Sequence, residues 1–146
     1  MIEQGRVLVV EDEPDVLLLC RVNLEFEGFE VVEASQGADA LALARAHRPD
    51  VILLDVMMPR MGGWEVLREL KQDADLAAVP VVMLAARVQD ADQIRAWEEG
   101  AVDYLTKPFS PLALSQVLQD VLATSPQEHE RRRRRILAHL RGRRGS

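Results

Sequence analysis

Charged residues follow three short apolar runs of this chain, at the point where each run ends. Asp55 closes the most apolar run, the acidic triplet Glu11-Asp12-Glu13 closes another, and Lys107 lies at the end of a third. If these runs are parallel strands of one sheet, their carboxyl ends bring the acids and the lysine to a single edge. That edge is where open α/β sheets carry their sites.

These residue types are suited to phosphoryl chemistry. Clustered carboxylates bind a hard divalent cation such as Mg²⁺, and a lysine beside them can hold a phosphoryl oxygen. Asp55 is then a candidate nucleophile that accepts a phosphoryl group. The alternative is a structural aspartate that caps a helix or pairs with Lys107. The complete set of acids and lysine favours the phosphoacceptor.

Apolar runs alternate with amphipathic stretches along the chain, which predicts a parallel sheet with crossover helices. We predict strands at 6–10, 29–33, 51–54, 80–84 and 102–105, and helices at 14–27, 37–47, 63–72, 90–99 and 111–123. Right-handed crossovers then give a five-stranded doubly wound α/β sheet. The stripe by which the first helix should face the sheet consists of Val16, Leu19, Cys20 and Leu24.

The composition is that of one ordinary globular domain. The chain has 146 residues, of which 48% are hydrophobic and 29% charged. The single cysteine, Cys20, excludes an internal disulfide. No stretch approaches the ~20 consecutive apolar residues of a membrane span. We therefore expect a cytoplasmic protein without a membrane partner.

The charge is divided unevenly along the chain. Residues 1–125 carry 10 of the 18 basic and 22 of the 24 acidic residues, whereas residues 126–146 carry eight arginines and two glutamates. The break at Ser125-Pro126 separates the two parts, so we predict a domain at 1–125 and a basic tail at 126–146. A helix is predicted over 127–140 of the tail.

Five fragments of the chain together resemble the receiver domain of two-component response regulators. They read VVEDEP at 9–14, LLDVMMP at 53–59, MGG at 61–63, PVVML at 80–84 and GAVDYLTKPF at 100–109. The resemblance covers roughly residues 5–123. It implies a flavodoxin-like sheet with strand order 2-1-3-4-5. About twenty residues remain after it, too few for the DNA-binding output domain that often follows in this family, which favours a single-domain receiver with a tail.

The resemblance also implies a role for each residue of the site. Asp55 would be the phosphoacceptor, Asp12 a direct Mg²⁺ ligand and Glu11 a ligand through water, with the backbone carbonyl of Met57 as a further ligand. Lys107 would bridge the phosphoryl oxygens, and a cis peptide is implied before the proline that follows it. Glu13 is better read as a solvated loop acid.

One position departs from the family's pattern. Ala85 occupies the place of the Thr or Ser whose hydroxyl donates to a phosphoryl oxygen, while the aromatic switch residue is present as Tyr104. The loss of a charge-assisted hydrogen bond, about 1.5–3 kcal/mol, would weaken the link between phosphorylation and switching. Alternatively, alanine is tolerated there. Met57 and Arg87 flank the expected phosphoryl group, and the apolar Met57 suggests slow hydrolysis.

Partners are implied by the resemblance as well. A sensor histidine kinase or a histidine phosphotransfer protein would dock beside the first helix, where Leu18, Val22 and Phe26 form a second apolar face. The alternative is that this face is covered by the tail, through Ile136, Leu137 and Leu140.

Four functions are compatible with these features to different degrees. The first is a phosphoacceptor, a signalling module rather than an enzyme, that acts on a downstream protein target. The second is a pseudo-receiver that binds a partner without phosphorylation. The arginine run 131–135 would support a nucleic-acid adaptor, but without aromatics or a recognised module we do not expect DNA or RNA. An aspartate-nucleophile phosphatase is disfavoured because Met57 replaces its second acid.

Overall fold

The computed structural model describes residues 5–86 and 90–145. Five parallel strands form one sheet: β1 (Gly5–Val10), β2 (Phe29–Ala34), β3 (Val51–Asp55), β4 (Val81–Ala85) and β5 (Asp103–Thr106). The helices are α1 (Pro14–Phe26), α2 (Ala40–His47), α3 (Gly63–Gln72), α4 (Asp90–Glu98), α5 (Pro111–Leu122) and α6 (Pro126–Gly145), and a 3₁₀ turn, Gly37–Asp39, precedes α2. The strand order is β2-β1-β3-β4-β5, which confirms the predicted flavodoxin-like topology.

The two faces of the sheet are covered by different helices. Along β1, Val7 and Val9 face the side on which α1 and α5 pack, whereas Leu8 and Val10 face the side covered by α2, α3 and α4. Strands buried on both faces read as continuous apolar runs instead of alternating ones. This is why the runs that end at the acids could be recognised as central strands.

The sheet-facing stripe of α1 differs in one position from the prediction. Cys20 and Leu24 are fully buried, as predicted, but Leu19 is 36% exposed. Leu17 packs against the core cluster in its place. The helix begins at Pro14, and from there the buried arc includes position 17 and excludes position 19.

Helix α6 begins at the predicted break at Ser125-Pro126, but it packs against α4, a contact that the sequence did not predict. Its Leu137 and Leu140 are buried against Ile94 and Trp97 of α4. The alternative that the tail covers α1 is therefore wrong. On α1, Leu18 is 58% exposed, Val22 56% and Phe26 86%. No helix in the described ranges is long and apolar enough to cross a membrane.

Hydrogen bonds to the C-terminal end of α4 help to position α6. The last carbonyls of a helix lack intrahelical partners. The guanidinium of Arg133 donates to two of them, the carbonyls of Trp97 and Glu98. A short connection after α5 brings the tail to this helix end, and the two leucines of α6 then pack against α4.

Helical periodicity divides the five-arginine run between the two faces of α6. Arg132 donates to the carbonyl of Val102 at 2.8 Å and lies over the Trp97 ring, so it faces the body together with Arg133. Arg134 pairs with Glu130 of the same helix. Arg131 and Arg135 are exposed, and neither forms an ion pair within the ranges that the structure describes. The run is thus not one uniform basic patch.

Candidate functional site

Strand register places the predicted site residues at the carboxyl edge of the sheet. Val10 pairs with Leu54, so that Glu11 and Asp55, the next residues of the two chain segments, are neighbours. On the other side, β4 and β5 end together where Ala85 pairs with Thr106, the residue before Lys107. The acids and the lysine therefore meet, as the sequence predicted.

Three carboxylates form a compact cluster at this edge. Glu11, Asp12 and Asp55 each offer an oxygen, and these oxygens lie within 4.8 Å of one another. Glu11 and Asp55 are buried. Asp12 Oδ1 has no hydrogen-bond partner in the described ranges, and Glu11 Oε2 and Asp55 Oδ2 meet Lys107 Nζ as ion pairs without a well-aligned hydrogen bond. Unpartnered buried oxygens are costly. A hard divalent cation, whose preferred ligands are oxygens, would satisfy them.

The ammonium group of Lys107 contacts the carboxylates of Glu11 and Asp55. Its Nζ is 3.0 Å from Glu11 Oε2 and 3.3 Å from Asp55 Oδ2. The backbone N–H of Lys107 donates to the carbonyl of Ala85 at 2.7 Å, which fixes the start of the loop after β5. The Lys107-Pro108 peptide is cis, as the resemblance implied. The ammonium group is thus held within reach of any group bound to Asp55.

Burial and charge shift the pKa values of this cluster. Burial, reinforced by Asp55 and opposed by Lys107, raises the pKa of Glu11 to about 7. Burial also raises the pKa of Asp55, although Lys107 opposes it. For Lys107, burial alone would lower the pKa, but its bond to Glu11 and the charge of Asp55 outweigh burial and raise it. The site holds more negative charge than its single lysine neutralises.

The loop after β3 is shaped around Asp55. The Met57 N–H donates to Asp55 Oδ1 at 3.1 Å and orients the carboxylate. A Cβ on Gly63 would lie 2.1 Å from the Asp55 carbonyl oxygen, so only glycine allows α3 to start this close to the strand end. The Met57 side chain is 74% exposed at the mouth of the site. The role of the Met57 carbonyl stays a prediction.

The two predicted switch residues lie on the adjacent strands. Ala85 ends β4 and is 6% exposed. Tyr104 is partly buried, and its ring meets Trp97 edge-on at 6.4 Å between centroids. The Tyr104 side chain also packs against the α4–α6 cluster. Arg87, which the sequence placed beside the phosphoryl group, lies outside the described residues.

Glu13 is a largely exposed loop acid, as predicted, but it also contacts the lysine of the site. Its Oε1 lies 3.2 Å from Lys107 Nζ. Glu13 is the N-cap of α1 but makes no side-chain capping bond. Its backbone N–H donates to Glu11 Oε1, a turn that directs the residue back toward the site. The one available signal was its position two residues after Glu11, at the entrance to a helix.

The fold and this site together define a receiver domain. The sequence profile of the family described as the response regulator receiver domain matches residues 7–119. The chain belongs to this family, whose members are signalling modules of two-component systems.

Individual relatives agree with this membership. The chain is 38% identical to protein PilH of Pseudomonas aeruginosa over 119 residues, 82% of this chain and 98% of PilH. It is 40% identical to the alkaline phosphatase synthesis transcriptional regulatory protein PhoP of Bacillus subtilis, over 82% of this chain but 49% of PhoP. Among solved structures, the Vibrio cholerae chemotaxis protein CheY4 matches 80% of this chain and 98% of its own with a TM-score of 0.77 and 33% identity.

Proposed function

We propose that this chain accepts a phosphoryl group on Asp55 from a phosphohistidine of a partner protein. The observation that carries the proposal is the burial of the Asp55 carboxylate between two further acids and Lys107. In the unphosphorylated site, Lys107 Nζ already lies 3.3 Å from Oδ2 of the Asp55 carboxylate. Such a preformed arrangement supports transfer by positioning and by charge neutralisation.

The transfer exchanges one phosphorus bond for another. An Asp55 oxygen attacks the phosphorus, the bond from phosphorus to the donor's imidazole nitrogen breaks, and that nitrogen keeps the electron pair and takes a proton. The product is an acyl phosphate on Asp55. Lys107 offsets the charge on the phosphoryl oxygens, and the Met57 N–H holds the second carboxylate oxygen. Attack of water on the acyl phosphate later releases phosphate and restores Asp55.

A divalent cation fits the acidic cluster because three carboxylates lie together there and the single charge of Lys107 does not neutralise them. Asp12 and Asp55 would hold Mg²⁺ directly, Glu11 would hold it through water, and the Met57 carbonyl would complete the protein's ligands. When bound, Mg²⁺ supplies positive charge that offsets the charge developing on the transferred group.

The donor would be a sensor histidine kinase or a histidine phosphotransfer protein. The exposed apolar face of α1, formed by Leu18, Val22 and Phe26, supports docking there, because exposed apolar patches mark interaction sites. We propose residues 1–125 as the receiver and 126–146 as a tail seated on α4. Signalling would then proceed by contact with a downstream protein.

A pseudo-receiver is the second candidate, and Ala85 favours it. The end of β4 offers a methyl group where a hydroxyl would contact the phosphoryl group. A partner could then be bound independently of phosphorylation.

Incubation with acetyl phosphate and Mg²⁺, followed by intact-mass measurement, tests the proposal. The wild type should gain one phosphoryl group, and Asp55→Asn, which keeps the shape but removes the nucleophile, should gain none. Asp15→Asn, an exposed acid on α1, serves as the matched control and should label as the wild type does. Equal labelling of the wild type and Asp55→Asn would exclude Asp55 as the acceptor, and an unlabelled wild type would favour the pseudo-receiver.

A further inference from the structure

Glu13 is the one acid of the site that lies outside the metal-binding cluster. The cluster consists of Glu11, Asp12 and Asp55. Glu13 instead contacts Lys107 alone, and its side chain is 61% exposed. Because it makes no capping bond to α1, its carboxylate has no other structural task among the described residues.

Glu13 takes one of the donors of the Lys107 ammonium group. A lysine ammonium group has three N–H donors. Nζ donates to Glu11 Oε1 and to Glu13 Oε1, both at 3.2 Å, while Asp55 Oδ2 lies 3.3 Å away as an ion pair. A phosphoryl oxygen bound to Asp55 would therefore compete with Glu11 and Glu13 for this ammonium group.

The three carboxylates differ in what their displacement would cost. Asp55 carries the phosphoryl group itself after transfer, and Glu11 is buried, so that an unpaired charge there would be expensive. The exposed Glu13 can turn to water at little cost. It is therefore the carboxylate with which an incoming phosphoryl group exchanges.

We infer that Glu13 is a positioning residue that competes with the phosphoryl group for Lys107 and thereby slows phosphoryl transfer. The inference rests on the proposed function of Asp55. The exposed carboxylate of Glu13 also places negative charge beside Lys107, where it opposes the approach of an anionic donor. Competition and repulsion act in the same direction, so removal of the charge accelerates transfer.

Rates of labelling with acetyl phosphate test this inference on the full chain. Glu13→Gln should raise the maximal transfer rate about twofold to fivefold, the range expected for a half-exposed ion pair. Glu13→Asp retains the charge and should stay closer to the wild type. Asp15→Asn removes an exposed charge two residues away without touching Lys107, and should change the rate less than Glu13→Gln does. An unchanged or slower Glu13→Gln, or an equal gain in Asp15→Asn, would overturn the inference.

A second measurement does not require phosphoryl transfer. Lys107 and Lys71 are the two lysines of the chain, so acylation of each can be followed by peptide mass spectrometry, with the partly buried Lys71 as the internal reference. Glu13→Gln should speed acylation of Lys107 and leave Lys71 unchanged. Equal acylation rates of Lys107 in the wild type and Glu13→Gln would show that the contact does not hold the lysine. An unlabelled wild type with faster acylation in the variant would reject the proposed function while retaining the contact.

Discussion

Replacing Leu140 by alanine should release α6 from α4 without unfolding the sheet. Leu140 is 7% exposed and packs with Leu137, Ile94 and Trp97 in a cluster separate from both sheet-facing cores. A buried Leu→Ala change costs about 2–5 kcal/mol. This cluster lies at the surface, where neighbours can relax into the space, so we expect about 2–3 kcal/mol.

That loss is about half of the apolar contribution that seats the helix. Burial of one leucine is worth about 1.5–3 kcal/mol, and α6 buries two leucines, Leu137 and Leu140. Hydrogen exchange should therefore show a loss of amide protection across α6 of about 30-fold or more, the factor that corresponds to 2 kcal/mol. Protection in the sheet should change much less.

Val22→Ala supplies the control for this experiment. Val22 is 56% exposed on α1, and its truncation should stay within about 0.5 kcal/mol. If α6 keeps its protection in Leu140→Ala, the seat on α4 is not what holds the helix. If instead Val22→Ala is as costly as Leu140→Ala, the tail lies against α1 in solution, contrary to the structure.

Two further predictions concern the switch position and a partly buried lysine. Ala85→Thr should prolong the phosphorylated state and enlarge the conformational change at Tyr104, because a regained charge-assisted hydrogen bond is worth about 1.5–3 kcal/mol. The ring resonances of Tyr104 before and after phosphorylation measure this change. A full change of the Tyr104 resonances already present in the wild type would contradict the prediction. Burial lowers the pKa of Lys71 from 10.5 to about 8. Between pH 8 and pH 10.5 the unfolded chain therefore binds more protons at Lys71 than the folded chain does. Lys71 thus makes the free energy of unfolding rise with pH in this range, by up to about 3 kcal/mol. Denaturant titrations of the wild type and Lys71→Met across this range should differ by that rise.

The central strands could be predicted because they are buried on both faces and appear as continuous apolar runs. Because these strands run parallel in one sheet, the topology alone brings Glu11, Asp55 and Lys107 together at its carboxyl edge. Their positions needed no knowledge of side-chain conformation, since each residue comes directly after a strand or one position beyond it.

The seat of α6 and the contact of Glu13 could not be predicted in this way. Arg133 donates to backbone carbonyls at the end of α4, and no residue pattern in the sequence predicts which helix end lies next to this arginine. Glu13 contacts Lys107 because of the loop conformation after β1, in which its backbone N–H donates to Glu11 Oε1. Both depend on contacts between residues far apart in the chain.

The division of the arginine run changes how the tail would respond to a polyanion. Each phosphate neutralised on duplex DNA contributes about −0.9 to the slope of log affinity against log salt. A run of five free arginines would give a slope near −4.5. Arg132 and Arg133 are turned to the body, and Arg134 is shared with Glu130, which leaves Arg131 and Arg135 of the run for counterion release. Their contribution is then close to −2, the behaviour of a weak and salt-sensitive contact.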